Sequence, residues 1–470
     1  MNFASLEFTY FLLIGFGLYA LIRNHEVQNL LLLAGSYYFY ACWDARFLLL
    51  IWLVTGASFI TGRAIGSTDD TRRRIRYIVV YTVFALTILG YFKYFNFFID
   101  SAQTALEALG VKVNRTYLNI LLPPAISFYI FESLSYVIEI HQRHMPATTK
   151  LRHYALFIAY FPKLVAGPIE RPAVLIPQIE KPRTITEEFI TRGCFLILLG
   201  LFKKVVVADG LSPTVDSVFN STETPNAAAI VLGTYAFALQ IYCDFSGYTD
   251  IARGVSKLFG IGTSQNFRFP YFSSNPSEFW RRWHMSLSSW LRDYLYIPLG
   301  GNRVNAVRTK VNLMITMLLG GLWHGAAWNF ILWGAYQGGL LIVNDLIKKP
   351  ALKGWTALVG RVLATVVFFQ FVCYGWLLFR AKSFEQIKDF TVELVTLSQP
   401  LAATVARPPL ATLLGVALLF LYDLAAYRSG RATFYRAMPV PVRAAFYAAL
   451  VFLTLMGMAN ARSAFIYFQF

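Results

Sequence analysis

Charge is what this chain has least of. Only 14% of its 470 residues are Asp, Glu, Lys or Arg, against roughly 25% in ordinary soluble domains. Hydrophobic residues reach 57% and aromatic ones 17%, and the mean hydropathy is +0.51. So little polar surface cannot coat a water-soluble globule of this length, and the same figures exclude disorder, collagen and coiled coil. Cysteine is also sparse. Cys42, Cys194, Cys243 and Cys373 stand in apolar surroundings with no CxxC spacing, which excludes a disulfide scaffold and a thiolate metal site and leaves small core residues as their expected role. The HExxH, GxSxG and P-loop patterns are missing as well, so hydrolysis through a metal or a serine nucleophile is not expected. The start, MNFASLE, lacks the positive segment of a cleavable signal, so residues 8–22 are expected to stay as a first helix. What remains is a polytopic helical membrane protein.

A span needs about 20 apolar residues. Candidates are 8–22, 77–98, 117–140, 193–208, 227–243, 326–346, 356–378, 409–426 and 444–459, and 30–61 reads as a kinked segment or a hairpin broken at Trp43-Asp44-Ala45-Arg46. The runs 153–168 and 311–323 are too short to cross alone and suit re-entrant or interior helices, whose backbone protein or water must cover. About ten to twelve membrane segments result, all helical. No internal repeat is evident.

The net charge is +17, from 42 Lys and Arg against 25 Asp and Glu. The basic residues fall in short clusters between apolar runs, as on cytoplasmic loops, rather than on a nucleic-acid-binding face. Arg63, Arg72, Arg73, Arg74 and Arg76 mark one such loop, and 253–310 and 428–443 are likewise basic, whereas 210–226 has no Lys or Arg. The orientation closes if 380–408 is external. Membrane lipids are the expected surroundings, and anionic headgroups or an anionic ligand are natural partners for the basic clusters.

Two stretches carry the chemistry. In NPSEFWRRWHMSLSSWLRDYLYIPLGGNR, residues 275–303, Asn275 can cap a helix opening with Pro276 and Glu278. Trp280, His284, Leu287, Leu291 and Tyr294 then recur on one face, so an amphipathic interfacial helix is expected over about 276–297. Its Arg281, Arg282 and Arg292 serve either to reach phospholipid headgroups or to hold an anionic substrate. His284, on the apolar face, must bond within the protein or serve a site. In GGLWHGAAWN, residues 320–329, His324 stands inside an apolar run among glycines that permit close backbone approach. An ionisable residue there is costly and is a functional hypothesis by default; the alternative is a histidine bonded to a neighbouring helix carbonyl. A third cluster, QIYCDFSGYTD at 240–250, places Asp244, Tyr248 and Asp250 at the end of a span, either as helix capping around a turn or as part of the site. His25, His141, His144 and His153 lie in or near polar loops and are expected on the surface.

The two histidine stretches, with LPPAISFYIFESLSYVIEI at 122–140, FPKLVAGPIERP at 161–172, QIYCDFSGYTDIARG at 240–254 and the terminal FIYFQF, resemble the membrane-bound O-acyltransferase family, and within it the bacterial alginate O-acetyltransferase branch. The resemblance implies one all-α membrane domain over 1–470, a helical bundle enclosing a polar pore or funnel, with His-bearing membrane helices at about 311–346. It also implies that His324 is the histidine deep in that pore and His284 a second polar residue of the site. The family transfers an acyl group from a cytoplasmic thioester, coenzyme A or a carrier protein, to a hydroxyl. In this branch the acetyl group moves outward, and a periplasmic SGNH-type transferase within the polysaccharide machinery usually places it on the sugar. No permanently bound cofactor is implied; acetyl-CoA or an acyl carrier is the donor substrate.

The chemistry of the residues agrees. His324 has the right ordinary pKa to accept a hydroxyl proton. Trp283, Trp323 or His284 could donate N–H groups to the tetrahedral oxyanion, and Arg281, Arg282 and Arg292 could hold donor phosphates. Asp244, Tyr248 and Asn329 are further candidates for the site. A competing reading is a transporter or flippase whose His and Asp groups line a substrate path. It needs no thioester.

Overall fold

The computed structural model describes residues 1–114, 117–165, 167–347, 353–400 and 405–458; the terminal FIYFQF lies outside them. Among the described residues all regular structure is helical. Six helices among the described residues are long and apolar enough to cross a membrane: Phe47–Gly66, Thr71–Ala108, Ala227–Leu258, Gly354–Arg380, Leu410–Ser429 and Val440–Met458. The shorter Leu6–Leu21 is comparably apolar. The expected break at residues 43–46 is a hairpin turn between helices His25–Ala41 and Phe47–Gly66. The run 117–140 becomes helical only at Ile126, after Pro123 and Pro124, since a residue before proline is pushed out of the helical region.

The chain divides into two compact units, Met1–Cys194 with Ala252–Ser264, and Phe195–Ile251 with Gln265–Phe470. In the first, helix Ile126–His141 is buried along almost its whole length. Arg74 caps its C-terminus by donating to the carbonyls of Ile140 and His141, both at 2.8 Å, and reaches the end of the Phe47–Gly66 helix at the Ile65 carbonyl, 3.3 Å away. One cation thus satisfies carbonyls at two helix ends, where the helix dipoles favour positive charge. The buried Lys163 is paired with Glu132, whose other oxygen accepts from the Glu170 N–H at 3.1 Å. Glu170 in turn accepts from the Ser264 N–H and hydroxyl. His153 departs from the surface role expected for it: it is 2% exposed and bonds Glu26 at 2.9 Å, beside Lys150 and Arg152. The polar loop hid an ion cluster. Cys243 and Cys373 are core residues as expected, whereas Cys42 and Cys194 face outward.

In the second unit, helices cross at glycines. A Cβ on Gly200 would fall 2.5 Å from the Gly247 carbonyl oxygen. The helices Ala306–His324 and Trp328–Leu346 form a hairpin of the same kind: a Cβ on Gly321 would lie 2.2 Å from the Phe330 oxygen, and one on Gly334 2.5 Å from that of Met317. These are small-residue contacts, in which packing of bare backbone replaces the hydrophobic driving force that lipid removes. Gly339, on the same helix, has nothing within 4 Å of an added Cβ. Gly321→Ala should therefore destabilise the protein by about 1–3 kcal/mol through overpacking. Gly339→Ala should leave stability unchanged or raise it by up to about 1 kcal/mol through helix propensity. Thermal unfolding of the purified variants in detergent checks the contrast, which fails if both behave alike.

Candidate active site

All residues of the candidate site belong to the second unit. His324 is the last residue of its helix, and Gly325 continues in an extended conformation before the chain re-enters a helix at Trp328. No side chain fits at position 325, where a Cβ would lie 2.2 Å from the Phe330 ring. The tight turn therefore leaves the imidazole inside the bundle, 6% exposed. Three aromatic rings surround it, Trp323 at 5.1 Å, Trp333 at 5.2 Å and Phe379 at 5.4 Å between centroids, all edge-on.

His284 reaches the same place from another element. The expected continuous helix over 276–297 does not form. Its start follows expectation: Asn275 accepts from the Glu278 N–H at 3.0 Å, and Glu278 accepts from that of Ser274 at 2.9 Å. The helix then stops at Trp280, restarts at Met285 and passes into a π-helical turn at Arg292–Tyr296. At the break His284 adopts a left-handed backbone, φ +40°, a strained conformation for a residue with a side chain. The preceding segment holds the break open. The Asn266 carbonyl accepts from the Met285 N–H, the Asn266 side chain from that of Ser286, and the Arg282 carbonyl from the Arg268 N–H. The side-chain periodicity carries no trace of these backbone bonds.

The break turns the His284 ring into full burial, 4.6 Å from Phe245, 5.7 Å from Trp323 and 6.4 Å from His324. The two histidines expected to share a pocket are thus neighbours, with Trp323 in contact with both. Neither nitrogen of His284 has a hydrogen-bond partner among the described residues, a condition that costs about 1–3 kcal/mol for a buried group.

A cavity of about 390 Å³ opens beside His324. Trp280, Arg281, Arg292, Gly320 and Trp333 line it with the histidine. Arg281 and Arg292 thus border the histidine's cavity, while Arg282 is engaged elsewhere: it pairs with Glu278 at 2.7 Å and lies 5.1 Å over the Tyr427 ring. Trp283 stacks on Phe279, packs at a tilt against Trp376 and is not on the cavity wall. Asn329 gives its amide to the Ala381 carbonyl at 3.0 Å.

Asp244 and Tyr248 fall in a different setting. Buried Lys204 bridges Asp244 and Asp209 at 2.7 and 2.8 Å and lies over the Tyr248 ring. Beside it in sequence, Lys203 pairs with Asp250, and Tyr242 donates to Asp423. These charges serve one another, as buried charges must. Sequence reasoning passed over a group of tryptophans. The indole N–H groups of Trp280, Trp333 and Trp376 are buried with no hydrogen-bond partner among the described residues. Their spacing in sequence gives no sign of this; only the rule that buried tryptophans usually find a partner makes it notable.

Asparagine tolerates the left-handed region better than other residues with side chains, and branched residues tolerate it worst. His284→Asn should therefore keep the wild-type melting temperature within a few degrees, while His284→Val should lower it clearly. Equal melting temperatures for the two variants would contradict the strained break.

Comparison with known proteins gives a consistent picture. Residues 75–380 match MBOAT, the membrane-bound O-acyltransferase family. The chain is 43% identical over 387 residues to the probable alginate O-acetylase AlgI of Azotobacter vinelandii, covering 82% of this chain and 76% of that protein. To the protein of the same name from Pseudomonas aeruginosa it is 42% identical, covering 82% and 73%. A peptidoglycan O-acetyltransferase of Helicobacter pylori is 32% identical over 396 residues, covering 79% and 74%.

Proposed function

The chain belongs to the membrane-bound O-acyltransferase family, and on that footing we propose that it moves an acetyl group from a cytoplasmic thioester to a hydroxyl, with His324 as general base, for O-acetylation of an exported alginate-like polysaccharide. It is an O-acyltransferase and a multi-pass protein of the bacterial inner membrane. The donor in this reading is acetyl-CoA, and the acetyl group reaches the glycan through a periplasmic transferase of the SGNH type.

The observation that carries the reading is the wall of the 390 Å³ cavity, where His324 and the two arginines Arg281 and Arg292 occur together. Cationic forks at a cavity border suit the phosphates of a nucleotide thioester. The thioester carbonyl then lies within the cavity, beside the imidazole. The acceptor hydroxyl comes between His324 and His284, whose ring centroids are 6.4 Å apart. His324 takes its proton and His284 orients it by a hydrogen bond that also satisfies an otherwise unpartnered ring nitrogen. Alginate is preferred to peptidoglycan as the glycan because the 43% and 42% identical relatives are named for alginate and the 32% identical one for peptidoglycan.

The test is thiol release and labelled acetyl transfer from acetyl-CoA in proteoliposomes supplied with the glycan and the periplasmic transferase. Wild type should turn over, and a folded His324→Ala protein should lose at least ~100-fold, the usual contribution of a general base. Normal turnover by that variant would make the histidine structural. Thioester consumption by no form of the protein would return the transport reading to the front. In the same assay Arg281→Ala and Arg292→Ala should raise KM for acetyl-CoA several-fold with kcat little changed, the signature of lost ground-state binding. A fall in kcat alone would move the arginines out of the donor site.

A further inference from the structure

The proposed reaction builds negative charge on the oxygen of the thioester carbonyl, and that oxygen needs a fixed donor in a site from which water is excluded. Sequence considerations offered His284, Trp283 and Trp323. The geometry ranks the donors differently. Trp283 is absent from the cavity wall. His284 is fully buried and also absent from it, on the side assigned above to the acceptor.

Trp333 combines a place on the cavity wall with contact to the imidazole and an unpartnered N–H. It lines the cavity together with His324. It is 1% exposed, and its indole N–H has no hydrogen-bond partner among the described residues. Its ring stands edge-on to the imidazole at 5.2 Å, so one small group can touch both. It is also held in place, packed by Trp280 at 5.8 Å, Trp376 at 6.3 Å and Phe379 at 5.4 Å. A donor clamped in this way needs no reorganisation when charge appears, and that is the condition under which a hydrogen bond speeds a reaction. Trp280, whose N–H is also unpartnered, lines the cavity too, but its ring packs on Phe279 and Trp333 rather than on the imidazole.

Resting on the acyl-transfer reading above, we infer that Trp333 is a catalytic residue, whose indole N–H holds the carbonyl oxygen of the thioester as it becomes an oxyanion. The acceptor oxygen bonds to the carbonyl carbon as its proton passes to His324, and the carbonyl π pair moves onto the oxygen held by Trp333. That pair then re-forms the C=O bond. The C–S bond breaks, the sulfur leaves with its bonding pair and takes the proton from His324, and an ester and a free thiol result. No other reactant is required.

The test compares Trp333→Phe, and replacement of Trp333 by 3-benzothienyl-alanine, with Trp376→Phe. Benzothiophene keeps the indole shape and loses the N–H. Trp376 belongs to the same cluster and has an unpartnered N–H, but it is not on the cavity wall. In the proteoliposome assay both replacements at 333 should lower kcat by roughly 100-fold, the usual loss of one oxyanion donor, and raise KM no more than several-fold, through the weaker bond that the ground-state carbonyl also makes. Trp376→Phe should stay within about three-fold of wild type, and melting temperatures show that all variants fold. Equal losses at 333 and 376, or wild-type kcat for the benzothienyl variant, would overturn the assignment.

A second measurement separates failure of this inference from failure of the general-base reading, because it needs no turnover. Acetonyl-CoA, whose ketone carbonyl stands one methylene beyond the sulfur, should bind wild type several-fold more tightly than S-propyl-CoA, which has the same chain length and lacks that oxygen. The preference should vanish in the benzothienyl variant and persist in His324→Ala. A wild type that binds the two alike refutes the role of Trp333, whatever His324 proves to do.

Discussion

The site depends on two helices approaching until their backbones touch. Gly321 meets the Phe330 carbonyl and Gly334 that of Met317, and Gly325 turns the chain where the Phe330 ring leaves no room for a side chain. That hairpin sets the direction of the His324 imidazole and brings Trp333, on the returning helix, to its edge. Everything else around the histidine is arranged on this frame. Phe379 and Trp376, from the Gly354–Arg380 helix, close the ring cluster behind Trp333. The broken segment 281–284 delivers the second imidazole from another direction. In a lipid environment apolar side chains gain little from meeting one another, so contacts of bare backbone are an effective way to hold such precision.

Buried polar groups in this protein fall into two kinds. Lys163 with Glu132, Lys203 with Asp250, and Lys204 with Asp209 and Asp244 are ion pairs. Each neutralises charge inside an apolar body, and removing one partner strands the other, so they are costly to disturb and poorly suited to receive a substrate. The groups beside His324 differ in charge and in satisfaction. They are neutral rings, His284, Trp333 and Trp376, whose N–H donors have no partner among the described residues. Neutral donors are less costly to bury than charges. In the acyl-transfer reading, the one on the cavity wall, Trp333, would answer a charge that exists only in the transition state, without binding the ground state too well.

Much of this was legible beforehand. The helical class, the approximate spans and a break at residues 43–46 follow from hydropathy and punctuation, while the pairing of His284 with His324 in one site was implied by the family resemblance and not by their spacing. What escaped detection shares a cause. The break at His284 rests on backbone bonds to Asn266 and Arg268, partners that the periodicity of 276–297 cannot reveal. His153 looked like a loop residue because its neighbours are charged, but those charges are the ion cluster that buries it. The pairing of Asp244 with Lys204 joins residues forty apart, beyond the reach of a local pattern. Trp333 went unremarked because tryptophan is common in such chains; its significance lies in a hydrogen bond it does not make.

In the acyl-transfer reading, burial of the imidazole is what makes a histidine base compatible with a thioester. Water that reached a basic imidazole beside an activated acyl group would be deprotonated as readily as the intended hydroxyl, and the acetyl group would be lost to hydrolysis. Here His324 is 6% exposed and ringed on three sides by Trp323, Trp333 and Phe379. The charged groups Arg281 and Arg292 lie on the wall of the same cavity. Arginine is the suitable cation for that wall. It stays charged without shifting its pKa, and its planar fork grips phosphate in two places. A lysine placed near the reacting thioester would itself become a nucleophile once burial removed its proton. In that reading, separating a permanent cation for binding from a buried imidazole for proton transfer would let the site hold an anionic donor while keeping charge and water from the carbonyl carbon until the acceptor arrives.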